Sequence, residues 1–232
     1  MVHPKHNEVL EMLPEEVFQR LLPHLQLVSM NAGEVLLRPG EAISMVYFPI
    51  TALICYARDL SDGTCMDTAL IGSEGVVGLR GLIGLGVHRV QVDTAGFAYR
   101  VPMEILTQEI ESGALIKNIF FRFTLQTTRM VSAEGVCSHF HSIEQRLAKW
   151  LLMRCDRSQS DRVLATHQRI ADSLGVRREA VTHGLRNMAG LVAGQRGAIQ
   201  VHNRSGLEKM CCECYDYLKN EMNPQMLLPL AW

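Results

Sequence analysis

Residues 167–188 read HQRIADSLGVRREAVTHGLRNM and have the spacing of two short helices joined by a tight turn. Ala171 is small where two helices must cross closely, and Gly175 follows where the chain can turn with positive φ at no steric cost. Val181, ten residues after Ala171, gives the second helix a buried position. The pattern predicts a helix-turn-helix whose first helix is capped by Thr166.

The same helical phase turns the polar side chains of the second helix outward. These are Arg177, Arg178, Glu179, Thr182, His183 and Arg186. An arginine can pair with guanine through two hydrogen bonds, and a glutamate can accept a bond from cytosine. We add Thr166 and Gln168, at the start of the first helix, to this set. The sequence thus predicts that the second helix enters a major groove of DNA.

Residues 191–201 follow the second helix and predict a small hairpin, or wing, with Arg196 at its tip positioned for a phosphate. The charge distribution agrees with this interpretation. Residues 1–141 hold 10 Lys and Arg against 15 Asp and Glu, whereas residues 142–205 hold 11 against 5. An acidic N-terminal part and a basic C-terminal part suggest that the C-terminal part contacts phosphates. The alternative is a structural helical hairpin whose arginines are merely solvated.

The N-terminal half has a different sequence pattern. Residues 7–22 predict short helical turns, the second of them started by Pro14. Short β-rich segments then alternate with turn residues at even spacing, which predicts a sandwich or barrel. These segments are Val35–Leu37, Val46–Phe48, Leu53–Tyr56, Val90–Val92 and Phe97–Val101. Asp62-Gly63 lies between two such segments and predicts a hairpin turn, because both residue types tolerate positive φ. Asp59, Asp62 and Asp67 lie around this turn and are interpreted as solvated loop residues.

A heptad spacing predicts one long helix after the strands. The positions that repeat every three and four residues are Ile116, Phe120, Phe123, Thr127, Met130, Glu134 and Cys137. We expect this seam to meet its twin in a homodimer; an intrachain core helix is the alternative. Residues 139–142 predict a joint, a second amphipathic helix follows from Ile143 through Arg154, and residues 156–162 predict a polar connector.

Composition excludes several classes of protein. Among the 232 residues there is no run of about 18 apolar residues, so we expect no membrane span. The N-terminus lacks a signal pattern, which favours a cytoplasmic location. Seven cysteines, an odd number, argue against a disulfide framework. The chain has no GxSxG elbow, no phosphate loop and no HExxH motif, so we expect no enzyme and no catalytic residues.

Several motifs, taken in order, resemble those of the CRP/FNR superfamily of transcription regulators over nearly the full length. They are residues 33–36 and 38–41, 46–49, 62–63, 71–79, 142–152, 174–182, 206–208 and 212–215. The resemblance implies an α+β fold: a cyclic-nucleotide-binding-like β-roll over residues 1–112, a dimerisation helix over 113–139 and a winged helix-turn-helix over 140–232. It also implies a homodimer on a palindromic DNA operator, with RNA polymerase as a possible further partner.

The resemblance places Arg178 and Glu179 where the family's base-reading Arg and Glu stand. His183 falls where a second Arg is common. An imidazole is shorter than a guanidinium and mostly neutral at pH 7, so we expect altered base specificity there. His183 in place of an arginine motivates an alternative function: a ligand-binding signalling module whose helix-turn-helix is vestigial and contacts a protein.

The cyclic-nucleotide cradle of the family is altered here. Leu79 stands where the family has the Glu that holds the ribose, and no hydroxyl residue follows Arg89. Leu cannot accept the ribose hydrogen bond, so we expect that cyclic AMP is not the effector. The effector, if one exists, stays unknown. The residues assigned to a candidate effector pocket are Gly78, Arg80, Gly81, His88, Arg89 and Thr127. No cysteine precedes Cys55, and no iron–sulfur cluster or haem is expected.

Cys211, Cys212 and Cys214 lie near the C-terminus, with His202 as the nearest candidate for a fourth ligand. A metal site usually needs a second spaced pair of ligands, so we favour apolar thiols packed on the wing and expect no metal. A thiol-based redox regulator is the remaining alternative. His139 and His141 flank the joint and are interpreted as polar hinge residues.

Overall fold

A computed structural model of the chain describes residues 2–82 and 84–221. The described residues form two compact units. The first contains the chain up to Tyr56 together with Leu70–Thr128, and the second contains Ala57–Ala69 together with Arg129–Glu221. These units divide the long helix and assign one β-hairpin to the second unit. The domain boundaries predicted from the sequence follow other criteria and stay a prediction.

The first unit begins with two short helices, α1 (Glu8–Glu11) and α2 (Glu15–Leu21). Asn7 is fully buried and its side-chain oxygen accepts hydrogen bonds from the amides of Val9 and Leu10, which caps α1. The same side chain donates to the carbonyls of Pro49 and Gly75 and so ties the helix to two loops. Pro14 directly precedes α2, as predicted.

Seven strands of the described chain then build two sheets. They are β1 (Gln26–Met30), β2 (Val35–Leu37), β3 (Met45–Pro49), β4 (Leu53–Asp59), β5 (Cys65–Ile71), β6 (Arg89–Thr94) and β7 (Gly96–Pro102). One sheet has the order β1-β7-β3 with antiparallel pairing, and the other has the order β2-β6-β4-β5. Fully buried Val46, Phe48, Ile54, Val92 and Val101 line the core.

All five predicted strands are confirmed, while β1 and β5 were missed. β1 is largely exposed and shows no clean alternation, and β5 carries Asp67 in its middle. Both features weaken the sequence pattern of a strand, since aspartate is depleted in strands.

The predicted hairpin at Asp62-Gly63 is confirmed, but its geometry has a different cause. Only Gly63 has positive φ, at 84°, and the Leu60 amide donates to the Thr64 carbonyl at 2.8 Å. The Asp62 carboxylate accepts bonds from the Thr64 amide and hydroxyl at 2.9 and 2.7 Å. Asp62 therefore stabilises the turn with its side chain rather than with an unusual backbone.

Two further helices follow, α3 (Met103–Ser112) and α4 (Ala114–Phe140). The predicted seam residues Ile116, Phe120, Phe123, Met130 and Cys137 are at most 4% exposed within the single chain, and Thr127 is half-buried. Phe123 lies so close to Gly75 that a Cβ added there would come within 2.6 Å of its ring. The heptad spacing thus marks the face that packs against the chain itself, which was the alternative interpretation.

The second unit is built on α5 (Ile143–Ser158), which begins with a complete capping box between Ser142 and Gln145. The predicted joint between the two long helices is therefore confirmed at residues 141–142. The predicted connector at 156–162 was too long, since α5 continues to Ser158 and ends at Gln159, whose φ is 50°. Leu147, Leu151 and Leu152 of α5 are fully buried.

The rest of the second unit is a helix-turn-helix followed by a wing. The elements are β8 (Arg162–Val163), α6 (His167–Leu174), α7 (Arg178–Asn187), β9 (Val192–Gln195), β10 (Ala198–Val201), α8 (Arg204–Met210) and α9 (Cys214–Glu221). Strands β8, β10 and β9 form one antiparallel sheet in that order. The mixed helix-and-sheet class and the predicted hairpin wing are both confirmed. Among the described residues, no helix combines the length and apolar character of a membrane span.

Candidate nucleic-acid interface

The turn between α6 and α7 has the geometry predicted from its residues. The Thr166 side chain accepts a hydrogen bond from the Arg169 amide at 3.1 Å and caps α6. Gly175 ends α6 with φ 63°, in the left-handed region that favours glycine. Ala171 and Val181 are both fully buried. Both residues that the sequence pattern places at the contact between the two helices are therefore in the core of the unit.

The predicted outward-facing residues are on the surface of the second unit. Thr166, Gln168, Arg177, Arg178, Glu179, His183, Arg186 and Arg196 are exposed, and Thr182 is half-buried. The opposite side of α7 is buried at Val181 and Gly184. A Cβ added at Gly184 would lie 3.3 Å from the Leu147 side chain, so α7 packs closely on α5 there. The recognition face is thus presented by a helix with a fixed position in its unit.

Some of these side chains are already held by neighbours. The Thr182 hydroxyl lies 3.0 Å from His167 Nδ1, and the Gln168 amide donates to Asp172 at 2.7 Å. His183 Nδ1 lies 3.2 Å from the side-chain amide of Asn187. These contacts make Thr182, Gln168 and His183 positioning groups within the unit as well as candidates for contacting a ligand.

Asn187 links His183 to α5, because its side-chain amide also donates to the Glu144 carboxylate at 2.8 Å. This hydrogen bond, followed by those from backbone and side-chain groups nearby, lowers the pKa of Glu144 below its ordinary value. The position taken by His183 is therefore tied to a carboxylate on another helix.

The arginines of the predicted interface differ from these side chains, which neighbouring residues hold in place. In the described part of the chain, Arg177, Arg178, Arg186 and Arg196 have no protein partner for their guanidinium groups, and all four are exposed. Arg196 stands in the two-residue turn between β9 and β10, next to Gly197 with φ 75°. Four unneutralised guanidiniums on one small unit form a surface that attracts anions such as phosphates.

The unit also contains an ion-pair cluster that sequence reasoning missed. The Asp67 carboxylate accepts hydrogen bonds from Arg169 of α6 at 2.7 and 3.3 Å and from the Ser173 hydroxyl. Arg154 of α5 lies 3.6 Å from the same carboxylate, and Trp150 Nε1 donates to Ser173 at 2.6 Å. The interpretation of Asp67 as a solvated loop residue was wrong, since its side chain is only 12% exposed.

The candidate effector residues are largely not brought together. A cavity of about 230 Å³ in the first unit is lined by residues 36–37, 41–45, 47, 77–78 and 90, so Gly78 alone of the predicted set lines it. Arg80 is exposed and donates to the Leu85 carbonyl at 2.9 Å, and Arg89 bonds to Gln91. Thr127 donates to the Phe123 carbonyl of its own helix. The roles of Arg80, Gly81, His88, Arg89 and Thr127 stay a prediction.

The cysteines show an arrangement that the sequence did not suggest. Cys137 Sγ lies 3.6 Å from Cys212 Sγ, and Cys214 Sγ lies 3.6 Å from His141 Nδ1. Cys212 and Cys214 are buried as predicted, but Cys211 is half-buried and points to the Gln145 carbonyl. His202 is exposed and lies outside the cluster. The spacing of Cys137 and His141 was the available signal, because four residues are about one helical turn and α4 ends at Phe140, directly before His141.

The thiol environment opposes redox reactivity at Cys137. Its contact with Cys212, and then burial, raise the pKa of the Cys137 thiol well above its usual value. Reactive cysteines need a lowered pKa, since the thiolate is the nucleophile. The raised pKa disfavours a reactive thiolate at Cys137, while the thiol-based redox alternative for Cys211, Cys212 and Cys214 stays a prediction.

Comparison with known proteins finds a family match within the second unit. Residues 145–210 match the family model of the Crp-like helix-turn-helix domain. No curated protein is significantly similar to the chain in sequence. The predicted helix-turn-helix and the resemblance that accompanied it are confirmed for these residues.

Solved structures extend the similarity to the fold of most of the chain. A protein from Eubacterium rectale assigned to the Crp/Fnr transcriptional regulators superposes with a TM-score of 0.72 at 16% identity, covering 89% of this chain and 98% of its own. FixK2 from Bradyrhizobium japonicum gives 0.70 at 18% identity, covering 81% and 98%. The c-di-GMP-responsive regulator CLP from Xanthomonas campestris gives 0.64 at 16% identity, covering 82% and 99%. At these identities the likeness establishes the fold.

Proposed function

Since the chain carries a Crp-like helix-turn-helix domain in the fold of CRP/FNR-family regulators, we propose that it is a transcription regulator that binds DNA as a homodimer. In this proposal α7 enters a major groove, Arg196 of the wing contacts a phosphate, and the two copies of α7 lie about 34 Å apart, one turn of DNA. The first unit acts as the sensor.

The observation that carries the proposal is the set of exposed arginines at α7 that have no protein partner among the described residues. Arg177 and Arg178 stand at its N-terminal end, where helix-turn-helix proteins contact base edges. Arg186 follows two turns later on the exposed part of the helix. An ordinary solvated helix gains stability by pairing such groups with carboxylates, so leaving them free suits an anionic ligand such as DNA.

We infer base specificity from the side chains of α7 that have no protein partner among the described residues. Arg178 is exposed, has no protein partner in the described chain, and suits bidentate pairing with guanine. Glu179 beside it is exposed and can accept from cytosine. His183 is held by Asn187, which is itself held by Glu144. We therefore propose that Arg178 and Glu179 read bases and that His183 contributes less to specificity than an arginine would.

The homodimer is proposed through a different face of α4 from the heptad seam. Phe121, Leu125 and Val136 are 63%, 46% and 50% exposed. They are spaced by 4 and 11 residues, which places them along one helical face. Burial of this stripe against a second copy would remove apolar surface that a monomer exposes.

The effector is proposed to be a ligand other than cyclic AMP, or none. The cavity of about 230 Å³ is smaller than the range of roughly 300–1,000 Å³ that is usual for small-molecule sites. Neither Arg80 nor Arg89 lines it, so no guanidinium faces a bound phosphate there. Calorimetric titration with cyclic AMP tests this part: we expect no heat of binding, and saturable binding would contradict it.

Selection of genomic fragments by the purified full-length protein tests the proposal directly. We expect enrichment of palindromic sites, and affinity for the best site that falls steeply as salt rises. The triple variant R177A/R178A/R186A should lose this binding, whereas K209A, which removes an exposed charge from α8, should keep it. Failure to retain any fragment at low salt would contradict DNA binding. Capture of a protein instead would favour the vestigial helix-turn-helix.

A further inference from the structure

Four side chains with metal-ligating atoms meet inside the second unit. They are Cys137, in the last turn of α4; His141, directly after α4; Cys212, between α8 and α9; and Cys214, the first residue of α9. Their sulfur and nitrogen atoms all lie within 4.8 Å of one another. The three cysteines are 1%, 4% and 6% exposed and form a cluster of their own.

We propose that these residues bind one zinc ion as a tetrahedral Cys₃His site. With Zn–S distances near 2.3 Å, the sulfurs of a tetrahedral site stand about 3.8 Å apart, and the imidazole nitrogen stands slightly closer. The 3.6 Å separations of Cys137 from Cys212 and of Cys214 from His141 already have this scale. Four ligand atoms so close together fit a single ion rather than a cluster of several metal atoms.

The imidazole of His141 is oriented for this role. Its Nδ1 faces the cysteine cluster, while its Nε2 lies 3.3 Å from the Glu213 carboxylate. A histidine that binds a metal through one ring nitrogen usually donates its other N–H to a carboxylate or carbonyl, which fixes the tautomer. Glu213 stands between the two ligands Cys212 and Cys214 in sequence, so one short segment supplies two ligands and the group that orients a third.

A buried ion pair lies beside the proposed site. Three thiolates and one Zn²⁺ carry a net charge of −1, which is costly to bury without a partner. The side chain of Lys149 on α5 is 3% exposed, pairs with Glu134 at 2.6 Å and interacts with Cys137. A lysine in this position is unusual for a core of thiols and aliphatic side chains. Glu134 is its ion-pair partner, and a thiolate at Cys137 would be a second anion near it.

The ion would connect parts of the chain that lie far apart in sequence. Cys137 and His141 flank the end of α4, whereas Cys212 and Cys214 belong to the segment after the wing. Zinc would thus fix the joint between α4 and α5 to the last helices of the second unit. The proposal goes beyond DNA binding, and its test does not depend on DNA.

The full-length protein, purified with a reductant and without chelator, tests the site. We expect about one zinc ion per chain by elemental analysis. When the zinc is removed and Co²⁺ is bound in its place, the protein should show the sulfur-to-cobalt charge-transfer bands and the strong visible bands of a tetrahedral thiolate site. This measurement needs no variant, so it stands even if a cysteine substitution prevents folding. A reduced protein that binds neither ion would overturn the proposal.

Variants then identify the ligands. C212S and H141Q should lose most of the bound metal and change the Co²⁺ spectrum, while C211S should keep both, because Cys211 Sγ faces the Gln145 carbonyl 3.9 Å away. Equal metal loss in C211S and C212S would overturn the assignment. So would a Cys137–Cys212 disulfide as the main species in protein prepared without oxygen, since the pair would then be a redox couple.

Discussion

Asp67 and Arg169 form an ion pair with 2.7 Å between the carboxylate and Nη2, although 102 residues separate them in the sequence. Arg169 belongs to α6, the first helix of the helix-turn-helix. The same carboxylate accepts from Ser173 and lies 3.6 Å from Arg154, whose side chain is 6% exposed. One carboxylate therefore pairs with Arg169, lies beside Arg154 and fixes the first helix of the motif within the second unit.

Substitution D67N should destabilise the second unit. The amide keeps the shape of the side chain but removes the negative charge that pairs with Arg169 and lies near Arg154, which should cost about 2–3 kcal/mol. Chemical denaturation followed by tryptophan fluorescence measures this, because Trp150 bonds to Ser173 beside the cluster. D216N, at an exposed position of α9, is the control and should stay within about 0.5 kcal/mol of the parent. Equal midpoints for the two variants would refute the role of Asp67.

The Asp67 cluster marks the limit of prediction from sequence. The helix-turn-helix, its caps and the wing were predictable, because Thr166, Gly175 and Gly197 act through bonds and backbone angles within a few residues. No local sequence pattern predicts that Asp67 contacts Arg169 or that Cys137 contacts Cys212. Such pairs depend on the tertiary packing, which local propensities do not encode.

The long helix illustrates a second limit. Its heptad spacing correctly predicted a helix with one continuous buried face, and the helix spans Ala114–Phe140. Spacing alone does not say whether that face meets the same chain or a second copy. Burial in the single chain answers this for Ile116, Phe120 and Phe123, which pack within it.

Glu8 should make the stability of the first unit depend on pH. Burial, and then the nearby carboxylates of Glu74 and Glu11, raise the pKa of Glu8 from 4.5 to about 7. Its Oε2 is buried and accepts no hydrogen bond from the described residues. Because the folded-state pKa exceeds the unfolded-state value, the folded protein binds more protons between these two pH values. Stability should therefore fall as pH rises from about 4.5 through 7.

Comparison of E8Q with the parent isolates this effect from the other titrating groups. At about pH 5 the two melting temperatures should be close, and at about pH 8 E8Q should melt higher, because it has no charge to bury. E16Q removes an exposed carboxylate from α2 and should not reproduce the difference. A parent-minus-E8Q difference that stays constant between the two pH values would contradict the buried-charge explanation.

Substitution L125E should weaken the proposed homodimer. A charge placed at the centre of the Phe121–Leu125–Val136 stripe would have to be buried twice in a symmetric dimer. Losing the two leucines alone should weaken association at least about tenfold. Sedimentation equilibrium over a range of protein concentrations measures this constant.

Val131 provides the matched control, because it is 43% exposed on the same helix and lies six residues, or about 120°, away from Leu125. V131E adds the same charge to α4 outside the stripe and should leave the association constant close to that of the parent. Dissociation by V131E but not by L125E would place the interface on the other face of the helix.

Arg178 and Arg196 should respond differently to substitution, since the first is proposed to read a base and the second to contact a phosphate. R178A should cost about 1–3 kcal/mol per half-site on the preferred operator and relax preference at one base pair. R196A should weaken binding to all sequences by a similar factor. It should also reduce the slope of log affinity against log salt by about 1 per half-site, or about 2 per dimer.

Anisotropy titrations of both variants on the best operator and on a scrambled one, at several salt concentrations, separate the two roles. The proposed assignment requires that the operator-to-scrambled ratio fall for R178A and hold for R196A. The reverse result would mean that the wing, and not α7, carries the sequence specificity.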